Sequence, residues 1–323
     1  MAHYLVTGGA GFIGSHLVDA LLRDGHRVRV LDDLSTGKRG NLDDRAEFVL
    51  GDVADRAAVL SAAAGIDGCF HLAAVASVAR ANEDWPGTHR VNLGGTIAVL
   101  DAARVMGGLP VVYASSAAVY GNLTDVATEG SPLAPLSAYG ADKLGSELHA
   151  RAGFHVHGVP SVGFRFFNVY GPRQDPTSPY SGVISLFAAA LAQGRGLTVH
   201  GDGLQTRDFV YVGDIVAFLL AGMRQIRTEP AALVLNACTG RETSVRMLAE
   251  TLGGLLQMRP AIAAGPARPG DIRRSVGCPK RAAALLGIEA QTALSGGLER
   301  TLHQVGNVFA VSDGTALAAM ARA

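Results

Sequence analysis

The sequence predicts a doubly wound α/β fold, a parallel sheet with helices on both faces, with a smaller, interleaved C-terminal domain. Three observations carry the expectation: short β-branched runs alternate with Ala/Leu-rich helical stretches through the first half, a glycine cluster follows the first run, and the rhythm breaks after Tyr170. Alternation of this kind implies right-handed crossovers and a ligand site at the carboxyl ends of the strands. The predicted strands are Tyr4–Thr7, Arg27–Leu31, Glu47–Leu50, Cys69–Leu72, Val111–Ser115 and Ser161–Phe166. Helical patterns between them include Gly14–Arg23, Ala57–Ala64 and Val91–Met106. Beyond Tyr170 comes the Pro/Gly/Ser loop GPRQDPTSPYSG, long enough to suggest function. A helix over Val183–Gln193, a glycine-rich turn, a helix from Asp214 and a strand over Ala232–Asn236 follow, and this last strand is expected to rejoin the large sheet. The division is therefore 1–167 for nucleotide binding, with about 212–240 returning to it, and 168–323 mainly for substrate. Past Gly306 no pattern is legible.

Composition excludes several classes. At 323 residues, 48% hydrophobic and 17% charged, the chain has ample core for a compact protein. Lys+Arg and Asp+Glu both total 28, so no basic surface for nucleic acid is expected. Cys69, Cys238 and Cys278 are dispersed without a CxxC pair, which argues against a disulfide framework or a metal site and fits a reducing compartment. The N-terminus enters strand-like HYLVT without a leader pattern, and no apolar run is long enough to span a membrane. A cytoplasmic location is expected.

TGGAGFIG, residues 7–14, ends a strand and opens a helix. Gly8, Gly11 and Gly14 let the backbone turn, approach a diphosphate and pack the helix on the sheet, with the anion at the helix N-terminus. The spacing GxxGxxG only partly matches the GxGxxG fingerprint. Asp32 strengthens the reading. It ends the second strand, where a carboxylate accepts hydrogen bonds from adenosine ribose hydroxyls and repels a 2′-phosphate, favouring NAD over NADP. Lys38 and Arg39 nearby leave NADP open. Asp52, just after the third strand, is placed to reach the adenine edge or simply to form a turn.

Tyr139 and Lys143, in SAYGADK, share one helix face. A lysine cation near a phenol lowers its pKa, because opposite unit charges about 4 Å apart attract by about 4 kcal/mol at an effective dielectric near 20. That makes Tyr139 a candidate general base, with Ser116 at the end of the preceding strand beside it. Alone, such a pair is an ordinary surface contact; the nucleotide loop upstream gives it weight.

Laid in order, TGGAGFIG, Asp32, GDV, HLAA, VN, YASSAAVYG, YGADK, RFFNVYGPRQ, GDGLQTRDFVYV and RPGD resemble the nucleotide-sugar epimerase/dehydratase branch of the extended short-chain dehydrogenases/reductases, from Tyr4 to about Leu286. The resemblance implies NAD as cofactor, with Phe12, Ile13, Val53 and Ala73 joining the glycines, Asp32, Asp52, Tyr139 and Lys143 around it. It implies that Tyr139 takes the proton of a sugar 4-hydroxyl, Lys143 holds the nicotinamide ribose and Ser116 hydrogen-bonds the 4-oxygen. Ser77, Asn168, Arg207, Arg268, Asp271 and Ser275 align with contacts to the sugar nucleotide. Asn168 has a structural alternative, the tying of a loop.

Dehydratases of this family carry an Asp-Glu pair directly after the Ser116 position, and decarboxylating members a glutamate at the second of those sites. Here stand Ala117 and Ala118, which move no proton. The resemblance thus implies 4-epimerisation of a UDP-hexose. Ser275, where a tyrosine would restrict the space around C2, leaves room for N-acetyl sugars. A uronate substrate met by Arg173, Arg273 or Arg274, a ketosugar reductase, and a non-catalytic NAD-binding protein are the alternatives. Asp142 departs from the serine or threonine usual before the lysine, and is expected to point away from the site while partly offsetting Lys143. A homodimer is implied, through the helices around Val91–Met106 and Lys143–Ala152.

Overall fold

A computed structural model describes residues 1–175, 182–267 and 272–313. In chain order, β1 (His3–Thr7) leads into α1 (Phe12–Arg23), then β2 (Arg27–Asp32), β3 (Glu47–Leu50), α2 (Arg56–Ala62) and β4 (Gly68–His71). Two short helices, α3 (Val78–Glu83) and α4 (Trp85–His89), run through a wider π-type turn at Arg90–Gly94 into α5 (Gly95–Val105). β5 (Val111–Ser116), α6 (Ala138–His157), β6 (Ser161–Phe166) and β7 (Asn168–Tyr170) follow. The remainder comprises α7 (Val183–Ala192), β8 (Leu197–His200), β9 (Thr206–Arg207), β10 (Phe209–Tyr211), α8 (Val212–Thr228), β11 (Ala232–Ala237), β12 (Thr243–Ser244), α9 (Val245–Leu255), β13 (Ile262–Gly265), β14 (Arg274–Ser275), α10 (Lys280–Leu286) and α11 (Leu294–Asp313).

Seven strands form one sheet in the order β3-β2-β1-β4-β5-β6-β11, every pairing parallel. This is a doubly wound sheet whose order reverses between β1 and β4, the crevice where such folds take ligands. The central strands β1, β4 and β6 are buried along their whole length, as packing on both faces requires, while β2 and the edge strand β3 keep exposed positions. One core lies against α1 and α8, built on Leu17, Leu21, Val30, Phe70, Phe164 and Phe218. A second, with Leu5, Val59, Val99, Ala102 and Tyr113, lies under α2, α5 and α6. A third is separate: Tyr170, Ile184, Phe187, Leu248 and Leu298 join α7, α9 and α11. Beside it, the chain pairs β7 with β10, β8 with β13, and β9 with β12 and β14.

α6 shows how local sequence sets these elements. Ser137 caps its first turn by accepting from the Gly140 N–H, and Gly158, at φ 68°, ends it in the left-handed region that favours glycine. The predicted strands recur with ends shifted by at most one residue. The helix expected from Asp214 begins at Val212, and α6 extends well beyond Lys143–Ala152 at both ends. The segment after Gly306, which had no legible pattern, continues α11 to Asp313. Among the described residues no helix is long and apolar enough to cross a membrane.

Candidate active site

A cavity of about 610 Å³ opens along the carboxyl ends of the sheet. Gly8, Gly11, Phe12, Ile13, Gly14, Asp32, Val53, Ala73, Ser116, Tyr139, Lys143 and Asn168 all line it, so twelve of the predicted residues share one wall.

The glycine loop is shaped by close approach. Gly8 takes φ 69°, and a Cβ there would lie 2.6 Å from the Ala73 nitrogen. A Cβ on Gly14 would run into the Gly8 carbonyl, so α1 and the loop pack backbone on backbone. At Gly11 a Cβ meets only that same carbonyl, at 3.2 Å, and otherwise projects into open space. No side chain caps α1, so its first-turn N–H groups remain available to an anion.

Asp32 closes the other side of the loop. Its carboxylate accepts from the Ala10 N–H at 2.9 Å and the Leu34 N–H at 2.8 Å, and faces the cavity with acceptor capacity to spare. Burial pushes its pKa up, against the two backbone hydrogen bonds. The basic neighbours are engaged elsewhere: Lys38 pairs with Asp175 at 3.1 Å, and the Arg39 guanidinium lies 5.1 Å from the Phe48 ring centre. The donor set thus fits NAD, with Asp32 on the ribose side and no basic side chain turned to a 2′-phosphate among the cavity's described residues beside it.

At the far end stand the three polar residues of the predicted chemistry. β5 ends on Ser116, whose Oγ accepts from the Ala118 N–H at 3.1 Å. Tyr139 lies in the first turn of α6 and Lys143 one turn on. The Lys143 ammonium donates to the Ala114 carbonyl at 2.9 Å and sits 5.8 Å from the Tyr139 ring centre. Burial pushes Lys143 down to about 8, opposed by the negative charge of Asp142. Tyr139 corrects an expectation. Burial raises its pKa, with the Ser116 hydroxyl pulling the other way, and the lowering expected from Lys143 does not appear in the protein alone. The phenol is half-buried on the cavity wall and the lysine is turned to a main-chain carbonyl, so desolvation outweighs attraction.

Other predicted residues lie off the cavity wall. Asp52 gives one oxygen to the Ala54 N–H and the other to Arg90, at 2.8 and 2.7 Å, the turn that was the alternative to an adenine contact. Its pKa falls although burial opposes this, because both hydrogen bonds favour the carboxylate. Ser77 caps α3 by accepting from the Arg80 N–H. Arg207 and Ser275 face each other across the β9–β14 pairing, with Arg207 also donating to the Thr206 carbonyl. Arg268 and Asp271 lie outside the described residues, as does most of the loop after Asp175. Asn168 answers its alternative: its backbone N–H bonds the Asp208 carbonyl, while among the described residues no hydrogen bond ties its side-chain amide, which faces the cavity. The three arginines considered for a uronate are already paired, Arg173 with Asp19, Arg273 with Asp202 and Arg274 with Glu242.

Sequence reasoning missed what braces the site. Arg165 and Glu147 form a bidentate ion pair, their side chains 4% and 5% exposed, at 2.9 and 2.7 Å. Glu147 also accepts from Ser115, the residue before Ser116, at 2.5 Å. Arg165 continues to the Tyr120 hydroxyl, which donates to Asn236 at 2.6 Å. The network thereby joins α6, β5, β6, β11 and the turn after Ser116. Its signal was present: one charged residue inside the otherwise buried strand SVGFRF. Asp208, fully buried, gathers the Thr239 N–H and hydroxyl and the N–H groups of Gly240 and Gly277, fixing the backbone next to Arg207.

Comparison with known proteins agrees. The profile of the NAD dependent epimerase/dehydratase family matches residues 4–238. UDP-glucose 4-epimerase of Mycolicibacterium smegmatis is 41% identical over 93% of this chain and 97% of its own. UDP-glucuronic acid decarboxylase 1 of Xenopus tropicalis is 32% identical over 93% of this chain and 71% of its own. Among solved structures, the Thermotoga maritima UDP-glucose 4-epimerase with UDP-glucose superposes with a TM-score of 0.90 at 33% identity, covering 95% of this chain and 99% of that one. The UDP-N-acetylglucosamine 4-epimerase of Methanobrevibacter ruminantium, in complex with UDP-N-acetylmuramic acid, gives 0.89 at 31%, covering 94% and 97%. The chain belongs to the NAD dependent epimerase/dehydratase family, and NAD is its cofactor.

Proposed function

We propose that the protein is a UDP-hexose 4-epimerase, acting on UDP-glucose/UDP-galactose and on their N-acetylated counterparts through a transient 4-ketose. The observation that carries this is the convergence of Ser116, Tyr139 and Lys143 at one end of a cavity whose other end is the glycine loop and Asp32. NAD, held by the glycine loop, Asp32 and Lys143, would supply the redox chemistry at C4 of the sugar. Tyr139 removes the 4-hydroxyl proton and later restores it, while Ser116 hydrogen-bonds the 4-oxygen. Lys143 holds the nicotinamide ribose. Arg207 and Arg268 take the diphosphate, Asp271 the uridine ribose, and Asn168 the sugar nucleotide.

Dehydration and decarboxylation need a further acid or base at the sugar. Ala117 and Ala118 occupy those positions, and the carboxylates on the cavity wall are Asp32, Asp33 and Asp84, the last capping α4. This favours epimerisation although decarboxylases are among the relatives. The pairing of Arg273 and Arg274 with Asp202 and Glu242 weighs against a uronate. Residues 1–167 with about 212–240 would hold the cofactor, and most of the remainder the sugar nucleotide. Exposed Ile97 and Val105 on α5 and Leu148 and Val156 on α6 support a homodimer through these adjacent helices, in a cytoplasmic enzyme.

Incubation with UDP-glucose and UDP-N-acetylglucosamine separately, with no added cofactor, should yield the galacto-configured product from each, followed by the anomeric protons in NMR. Ser275→Tyr should cut turnover of the N-acetyl sugar by about 10-fold or more, a one-contact effect of 1–3 kcal/mol, while sparing UDP-glucose. Equal losses for both sugars would remove Ser275 from specificity. No product from either, even with NAD added, would sink the assignment.

A further inference from the structure

Asp142 is the residue before Lys143, and its side chain is 5% exposed. One carboxylate oxygen bonds the ring of His89, itself 56% exposed, at 2.8 Å. The other oxygen is buried without a hydrogen-bond partner. A half-satisfied buried carboxylate is costly, and the serine or threonine usual in its place would avoid that cost. Its charge therefore has something to act on. Lys143 is equally buried, its ammonium donates to a neutral carbonyl, and among the described residues no carboxylate forms an ion pair with it.

The other charged groups on the elements packed against this stretch of α6 offer no substitute. Arg90, in the π-type turn, pairs with Asp52, and Asp101 with Arg104 on α5. Glu147, one turn along α6, is taken by Arg165 of β6. His71 of β4 is held neutral by burial, its two nitrogens bonded to Thr7 and Thr96. Arg80 and Glu83 of α3 and Asp84 before α4 complete the set, Asp84 accepting from the Gly87 N–H. β5, β11 and the turn after Ser116 bring no charged side chain. Asp142, buried and next to the buried Lys143 on α6, carries the negative charge that opposes the effect of burial on the lysine.

We infer that Asp142, anchored on one side by His89, is an electrostatic positioning residue that keeps Lys143 in the ammonium form the catalytic centre requires. The inference rests on the reading of Tyr139 and Lys143 as the catalytic pair. An opposite charge in a poorly solvated setting favours the charged form, and burial alone draws Lys143 towards the neutral amine near physiological pH. The expected sign follows: removing the carboxylate lets Lys143 lose its proton at lower pH, so the alkaline limb of activity moves down.

The test uses the full-length holoenzyme. Asp142→Asn keeps the shape and an oxygen to accept from His89 but loses the charge; Asp142→Ser installs the residue usual in the family. In both, the alkaline limb of the kcat–pH profile should fall by roughly one unit, so the deficit against wild type widens to about 10-fold above the limb, and Asp142→Glu should restore part of it. A second readout needs no turnover: competitive acylation of Lys143 by acetic anhydride, read by peptide mass spectrometry, should set in at lower pH in Asp142→Asn. An unmoved limb, or a loss equal at every pH, would overturn the inference, as would an unchanged acylation profile. Wild type lacking epimerase activity while its Lys143 acylation shifts on removal of Asp142 would instead fault the proposed reaction and leave the electrostatic role standing.

Discussion

Tyr139→Phe is expected to lower kcat by about 10³-fold or more, within the range for loss of a general acid–base group, while leaving fold and bound NAD in place. The phenyl ring keeps the packing of a half-buried side chain, and Ser116 and Lys143 retain their own partners, the Ala118 N–H and the Ala114 carbonyl. What goes is the oxygen proposed to exchange a proton with the 4-hydroxyl. Because burial raises the pKa of Tyr139 in the protein alone, the hydroxyl is a poor base until a cation joins it. Wild-type activity should therefore fall on the acid side, where the phenol stays protonated. The check is turnover by NMR together with circular dichroism and the 260/280 nm absorbance ratio of the purified variant. Retention of more than about a tenth of wild-type kcat would exclude proton transfer by Tyr139 as a major contribution.

Breaking the buried ion pair is the largest expected effect on stability. Arg165→Ala leaves the Glu147 carboxylate enclosed and uncompensated, which costs about 3–5 kcal/mol and should lower Tm by about 4–7 °C. The Tyr120 hydroxyl loses a donor in the same step. Arg165→Met with Glu147→Leu removes both charges and should recover much of that loss, since matched apolar replacement of a buried pair is often near neutral. Recovery should be incomplete, because Ser115 still loses its acceptor. Urea unfolding of the wild type, the single variant and the double variant measures this directly. A double variant no more stable than Arg165→Ala would contradict an uncompensated Glu147 charge as the source of the loss.

The parts legible in the sequence were those governed by local rules. Strands on a parallel sheet buried on both faces read as apolar runs, so the seven-stranded core could be placed to within a residue. The glycine loop announces itself because a Cβ at Gly8 or Gly14 has nowhere to go. Ser137, in SAYGADK, is a recognisable cap that sets the start of α6 and hence the face carrying Tyr139 and Lys143.

What escaped depends on partners far apart in the chain. Tyr120 meets Asn236 and Arg165 meets Glu147, and no periodicity pairs them. For Asp52 a turn stood beside the adenine contact as an alternative, and the side chains of both Asp52 and Ser77 bond a nearby backbone N–H. Short polar side chains just outside an element commonly do so. The balance at Tyr139 was misjudged for another reason. Sequence spacing gives the attraction of Lys143 but not the desolvation of the phenol, and burial proved the larger influence.

If one resident cofactor serves both halves of the proposed epimerisation, the hydrogen at C4 stays with the sugar. The most direct measurement is incubation of the purified protein with UDP-glucose deuterated at C4, in ordinary water and without added NAD, followed by proton and deuterium NMR. The expected product is UDP-galactose with the deuterium retained at C4. Loss of the label to solvent, a pentose or 6-deoxy product, or no product even when NAD is supplied would contradict it.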